Sequence, residues 1–122
     1  MTPAQQNHER EYRIHEEIIV DAHGPEEQAM SWYYYLEDKI QFPFHAQCIA
    51  SVTASPLRKG DSVEVGKMAP EDSCSTDMLV MTRWNNRNFA VPLSQLKPLD
   101  VGESTNQAIE DWHYWIARGY CL

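Results

Sequence analysis

At residues 32–38 the chain reads Trp32-Tyr33-Tyr34-Tyr35-Leu36-Glu37-Asp38, four aromatic rings and a leucine followed by two acids. Each large ring buries about 150–250 Å², so a helix through this stretch can supply much of a small core. An apolar stripe with helical spacing runs through it, formed by Ala29, Tyr33, Leu36 and Ile40. We predict a helix from Pro25 to about Ile40, because proline suits a first helical turn and the residue before Pro43 is pushed out of the helical region.

Two further helices are predicted, one near each end of the chain. The last contains the acidic and aromatic stretch Ala108-Ile109-Glu110-Asp111-Trp112-His113-Tyr114-Trp115. Ser104 and Gln107 have the spacing of a capping box that would open it, and Gly119 would end it. Its expected buried stripe is Ile109, Trp112, Ile116 and Tyr120. A first helix is predicted from the spacing of Tyr12, Ile14, Ile18 and Ile19.

The residues between Phe44 and Leu99 form short, apolar, strand-like segments. About four or five antiparallel strands fit this length, which leaves no room for helical crossovers between parallel strands. The turn residues Asn85-Asn86-Arg87-Asn88 predict a hairpin between two of them. The predicted fold class is therefore α+β, a small SH3-like antiparallel β-barrel packed with N-terminal and C-terminal α-helices.

Length, charge and cysteine content limit the class of protein. With 122 residues the chain suits a flexible N-terminus at residues 1–9 and a single domain at residues 10–122, which we expect to be a monomer. A net charge of -8 argues against nucleic acid and anionic membranes as partners, and no apolar stretch reaches the roughly 20 residues of a membrane span. Three cysteines without C-x-x-C spacing predict reduced thiols and a cytoplasmic location.

Acidic residues are crowded at three places in the chain. The longest run is Glu71-Asp72-Ser73-Cys74-Ser75-Thr76-Asp77, and pairs of acids accompany the two aromatic stretches. Ca²⁺ binds six to eight oxygen ligands in loose geometry, so a hard cation between these carboxylates would relieve their repulsion. No segment has EF-hand spacing. The candidate metal ligands are Glu37, Asp38, Glu71, Asp72, Asp77, Glu110 and Asp111.

The residues alone leave other interpretations open. The acidic groups could simply face water, as most surface carboxylates do. Five scattered histidines show no ligand spacing for zinc or iron, and no phosphate loop or nucleophile motif predicts an enzyme. A different class of function is an SH3-like protein–protein interaction adaptor with no metal role, in which Arg83, Trp84 and Phe89 would line a groove for extended peptides.

Several long strings resemble the small cyanobacterial calcium-binding proteins of the CcbP type. They are Glu17 to Ala22, Glu27 to Met30, Trp32 to Asp38, Phe42-Pro43-Phe44, Met68 to Glu71, Ala90 to Leu96 and Ala108 to Trp115. The resemblance implies Ca²⁺ binding without EF-hands and a role as a buffer or modulator of free calcium. It also implies that Glu37, Asp38, Glu71, Glu110 and Asp111 belong to matching strings, whereas Ser73, Ser75 and Thr76 stand where further acids are expected.

Overall fold

The computed structural model describes residues 7–53, 55–75 and 77–118 and shows three α-helices beside one antiparallel sheet. The helices are α1 (His8–Arg13), α2 (Pro25–Lys39) and α3 (Glu103–Ala117). The strands are β1 (Phe44–Cys48), β2 (Ser62–Met68), β3 (Leu79–Trp84), β4 (Arg87–Pro92) and β5 (Leu96–Leu99). The α+β class is confirmed, and none of the described helices is long and apolar enough to cross a membrane.

The helix predictions are confirmed for α2 and corrected at the other two positions. Pro25 occupies the first turn of α2, as predicted. After α1 the chain continues through a π-helical turn, Ile14–Ile18, so the first predicted helix has two parts. The predicted capping box of α3 is wrong: the helix begins at Glu103, and Gly102 supplies the first carbonyl, which accepts from Asn106 N–H at 3.0 Å.

The five strands form a sheet in the order β4-β3-β2-β1-β5, with every neighbouring pair antiparallel. The predicted hairpin is present between β3 and β4. Its two turn residues, Asn85 and Asn86, have φ angles of 52° and 61°, a conformation that asparagine tolerates better than most residues.

The prediction of a closed barrel is wrong, because the sheet is open and has β4 and β5 as its edges. Closure would require these two strands to pair. Instead a 3-10 turn, Leu93–Gln95, redirects the chain after β4, and the four-residue strand β5 pairs with β1 on the other side of the sheet. Pro92 and Pro98 also lack the N–H groups that a closing ladder would use. Likeness to an SH3 fold stays a prediction.

The helical layer is joined by a cluster of tryptophans. Trp32 of α2 and Trp112 of α3 are fully buried and meet edge-to-face with ring centroids 5.1 Å apart, and Trp115 lies 5.7 Å from Trp32. The predicted stripe of α3 is correct at Ile109 and Trp112 and wrong at Ile116, which is 37% exposed. Trp115 takes the buried position instead, and Tyr120 lies outside the described residues.

Replacing Trp112 with alanine is expected to lower the free energy of unfolding by about 3–5 kcal/mol, because it removes a large buried ring and leaves a cavity against Trp32. Ile116→Ala on the same helix is the matched control, and its half-exposed side chain should cost much less. Urea unfolding of both variants measures the difference. Equal losses would contradict the tryptophan cluster as the centre of the helical layer.

Candidate metal centre

The seven predicted ligands fall into two groups, and one member of each group accepts a hydrogen bond from a tyrosine of α2. Glu71 accepts a hydrogen bond from the hydroxyl of Tyr34, and Asp111 accepts one from the hydroxyl of Tyr35. The candidate ligands are therefore divided into an α2 group, which comprises Glu37, Asp38, Glu71, Asp72 and Asp77, and an α3 group, which comprises Glu110 and Asp111. Tyr34 and Tyr35 line one hollow with Asp38, and convergence of the two groups on one ion stays a prediction.

Asp111 in the α3 group is fully buried, and each of its two carboxylate oxygens accepts two hydrogen bonds. Oδ1 accepts from Arg10 Nη1 at 2.8 Å and Arg13 Nη2 at 2.7 Å. Oδ2 accepts from Arg13 Nε at 2.8 Å and the Tyr35 hydroxyl at 3.1 Å. Four donors fill the lone-pair sites of a carboxylate. Asp111 can ligate a metal only after some of these donors have left.

Asp111 in turn acts on the pKa values of two of its donors, Arg13 and Tyr35. Its hydrogen bond raises the pKa of Arg13, and burial, reinforced by the negative charge of Asp111, raises the pKa of Tyr35. Glu110, half exposed beside it, is paired with Arg10 at 2.7 Å and accepts from Asn106 Nδ2 at 3.1 Å. The α3 group is thus already neutralised by the protein's own arginines.

The α2 group lies where the middle of α2 meets the 3-10 segment Glu71–Cys74. The Tyr34 hydroxyl donates to Glu71 Oε2 at 3.0 Å, and this hydrogen bond raises the pKa of the exposed Tyr34. Burial raises the pKa of Tyr33 to about 12, with contributions from the charges of Glu37 and Glu71. Glu37 follows Tyr34 by three residues on α2 and so shares the helical face on which Tyr34 holds Glu71.

The remaining predicted ligands of the α2 group are close to Glu37 or Glu71 in the sequence. Asp72 is exposed and follows Glu71 in the 3-10 segment. Asp38 follows Glu37, is exposed, and has Lys39 Nζ at 3.9 Å. Asp77 is half-buried; its Oδ1 accepts from the N–H of Met78 at 2.8 Å, and burial raises its pKa. Thr76, between these elements, lies outside the described residues.

The α2 group contains the oxygen atoms that Ca²⁺ prefers and few cations of its own. Within the described ranges, no Lys, Arg or His nitrogen lies within 4.0 Å of the carboxylates of Glu37, Glu71, Asp72 or Asp77. Lys67 lines the same hollow as Glu37 at a greater distance. No three His, Cys, Asp or Glu side chains in the described parts of the chain are already arranged around a metal position. Ligation would therefore require exposed side chains to rotate inward.

Sequence reasoning missed the partners of the two groups. Arg10 and Arg13 are three residues apart on α1, and this spacing places both guanidinium groups on one helical face. This spacing is a sign in the sequence that one carboxylate can face both. The Tyr34 hydroxyl stands in an aromatic stretch, and no local pattern indicates its hydrogen bond to Glu71. Trp84 and Phe89, predicted to line a peptide groove, meet edge-to-face at 6.3 Å and pack against the core.

Comparison with known proteins gives the class and then the family. The chain matches the sequence profile of a family described as calcium-binding over residues 12–116. It belongs to this family, the CcbP calcium-binding family, as the sequence resemblance predicted. The crystal structure of Anabaena CcbP is 41% identical, with a TM-score of 0.88 and 100% of both chains covered. A calcium binding protein in the calcium-binding form is 40% identical, with the same TM-score and coverage. No curated protein matches the chain.

Asp111→Asn is expected to lower the free energy of unfolding by about 3 kcal/mol in calcium-free buffer, because it leaves the Arg10 and Arg13 guanidinium groups facing a neutral amide. Glu110→Gln removes the same charge from the exposed end of the group and should cost about 0–1 kcal/mol. Urea unfolding in chelator measures both values. A stable Asp111→Asn variant would show that the buried carboxylate does not hold α1 in place.

Proposed function

We propose that this chain binds Ca²⁺ at the α2 group, where Glu37, Glu71 and Asp72 supply the first carboxylates and Asp38 and Asp77 are close in sequence. The observation that supports this choice is the hydrogen bond from Tyr34 to Glu71 on the helical face that also carries Glu37. In addition, no Lys, Arg or His nitrogen of the described residues lies within 4.0 Å of these two carboxylates. Membership of a calcium-binding family supports the identity of the ion.

The two acidic groups differ in the free energy that binding a cation would release. At the α2 group a divalent ion would relieve repulsion between carboxylates that have no cationic partner within 4.0 Å among the described residues. At the α3 group it would have to displace Arg10 and Arg13 from a buried carboxylate. Calcium binding at Glu110 and Asp111 thus requires the larger rearrangement, and we place the ion at the α2 group.

The exposure of the α2 ligands limits the affinity. Each glutamate side chain that becomes fixed loses about 1.5–2 kcal/mol of rotamer freedom. With two or three carboxylates and with carbonyls or water completing the shell, dissociation constants of about 10⁻⁶–10⁻⁴ M are expected. An affinity in this range suits a buffer or modulator that releases calcium readily.

The biological setting we propose is a monomeric, cytoplasmic calcium buffer without catalytic activity. The family is defined by calcium binding and not by a reaction. Cys48 and Cys74 are buried free thiols, which suits a reducing compartment. The third cysteine, Cys121, lies outside the described residues.

Calcium is expected to raise the unfolding midpoint, by an amount equivalent to about 2.7 kcal/mol at 100 times the dissociation constant.

Glu37→Gln combined with Glu71→Gln should weaken calcium binding at least about tenfold in calorimetry, because both lost charges face the ion. Asp72→Asn and Asp77→Asn should weaken it further without unfolding the chain.

Glu103→Gln is the control for net charge, since Glu103 is exposed in the first turn of α3 and distant in sequence from the α2 group. It should leave calcium affinity unchanged. An equal loss in the control, or an equal stabilisation by Mg²⁺ at matched ionic strength, would reduce the effect to charge screening. No midpoint rise with calcium would contradict calcium binding itself.

Tyr34 offers a direct test of where the ion binds. The carboxylate of Glu71 raises the pKa of Tyr34, so an ion on Glu71 should lower that pKa toward the ordinary tyrosine value. Ultraviolet titration of phenolate absorbance should therefore show Tyr34 ionising at lower pH with calcium than with chelator, with a smaller change at Tyr33. Tyr34→Phe should remove the part of this difference that Tyr34 contributes. A calcium-dependent difference that is unchanged in Tyr34→Phe would place the ion elsewhere.

A further inference from the structure

The charges of this protein are divided between its helices and its sheet. Helices α1, α2 and α3 contain nine acidic and three basic residues. The five strands contain a single acid, Glu64, and four basic residues: Lys67, Arg83, Arg87 and Lys97. The sheet is thus locally positive in a chain whose net charge is -8.

The basic residues of the strands form no close ion pair in the described parts of the chain, although Lys67 shares a hollow with Glu37. Arg10, Arg13 and Lys39, the basic residues of the helices, each have a carboxylate oxygen within 4.0 Å. None of the four strand residues has one among residues 7–53, 55–75 and 77–118. Even Glu64, directly opposite Arg83 in the pairing of β2 with β3, forms no ion pair with it.

Two of these cations line a hollow of about 380 Å³ on the outer face of β2, β3 and β4. Cross-strand pairing aligns Glu64, Arg83 and Asn88 in one row and Lys67, Met81 and Ala90 in the next. Half-buried Met81 provides an apolar surface between the charged groups. The hollow therefore presents two cations, Lys67 and Arg83, and one carboxylate, Glu64, beside the apolar surface of Met81, and it extends to Asn88 of β4 at the edge of the sheet. Neither cation has an ion pair among the described residues.

On its outer edge, β4 has backbone N–H groups that find no backbone partner within the described part of the chain. Antiparallel pairs alternate between mutually hydrogen-bonded and non-bonded, and the pair that closes a two-residue turn, Trp84 with Arg87, is bonded. Phe89 and Val91 then also bond to β3, so Asn88 and Ala90 direct their N–H groups away from the sheet. Neither N–H has a backbone partner elsewhere among the described residues.

We propose that β4 is a docking edge for an extended acidic segment of another protein, which adds as a strand and places its carboxylates against Lys67 and Arg83. The free N–H groups of Asn88 and Ala90 fit a peptide backbone, and the unpaired cations select its side chains. A second copy of this chain is a poor occupant, since its own β4 contains Arg87 and no carboxylate to place against Lys67 and Arg83. Nucleic acid has no amide backbone to pair with this edge, and a net charge of -8 repels it.

The probe is a synthetic peptide of about eight residues, the length of an ordinary strand, alternating glutamate with valine. Its counterpart replaces every glutamate with glutamine. Binding to the full chain is followed by fluorescence anisotropy in chelator, so that calcium cannot bridge carboxylates. The acidic peptide should bind at least about tenfold more tightly than its counterpart.

Two double variants carry the same change of charge at different places. Lys67→Gln with Arg83→Gln should weaken acidic-peptide binding at least about tenfold, because both cations of the hollow are lost. Arg58→Gln with Lys59→Gln, at the exposed turn before β2, should leave it unchanged. Ala90→Pro should also weaken binding, since it removes one edge N–H while the bonds to β3 remain.

Three results would overturn the proposal. Absence of acidic-peptide binding, or equal binding of the glutamine counterpart, would remove the acidic partner. Equal weakening by the two double variants would reduce the effect to net charge. Full affinity in Ala90→Pro would exclude strand addition and leave a site for small anions, which inorganic phosphate would then occupy in competition.

Discussion

Asp111 carries a charge into a part of the protein that water does not reach, and the arrangement of the helices follows from the need to pair it. Its four donors come from α1 and α2, while the carboxylate itself belongs to α3. Removing a carboxylate from water is costly unless its lone pairs are filled. One buried group therefore fixes the relative positions of three helices, and Glu11, the only residue buried within α1, adds a hydrogen bond from Tyr114 at 2.9 Å.

This pairing also determines which acids remain for a metal ion. Arg10 and Arg13 form ion pairs with the acids of α3, and Lys39 lies beside Asp38. Within the described ranges, the carboxylates of Glu37 and Glu71 near Tyr33 and Tyr34 receive no such partner. The calcium site that we propose therefore uses acids other than those that pair the helices, although both kinds flank the same aromatic residues of α2.

Local patterns in the sequence predict local structure well and distant pairing poorly. The bounds of α2 follow from Pro25 and from an apolar stripe within a single helix, and the β3–β4 hairpin follows from its two asparagines. Asp111 looks like an ordinary surface acid because its main partner, Arg13, is 98 positions away in the chain. The open edge between β4 and β5 likewise depends on the pairing of β5 with β1, which no short stretch encodes. The family resemblance indicates that the ion is calcium. The different partners of the two acidic groups become visible only in the three-dimensional structure.

The pairing of β5 with β1 has a consequence for how the chain folds. His45 of β1 pairs with Leu99 of β5, so the chain between them must close a long loop before this ladder can form. The β3–β4 hairpin closes over two residues and can form within microseconds. We infer that the hairpin assembles early and that β5 docks late, together with the segment that leads into α3.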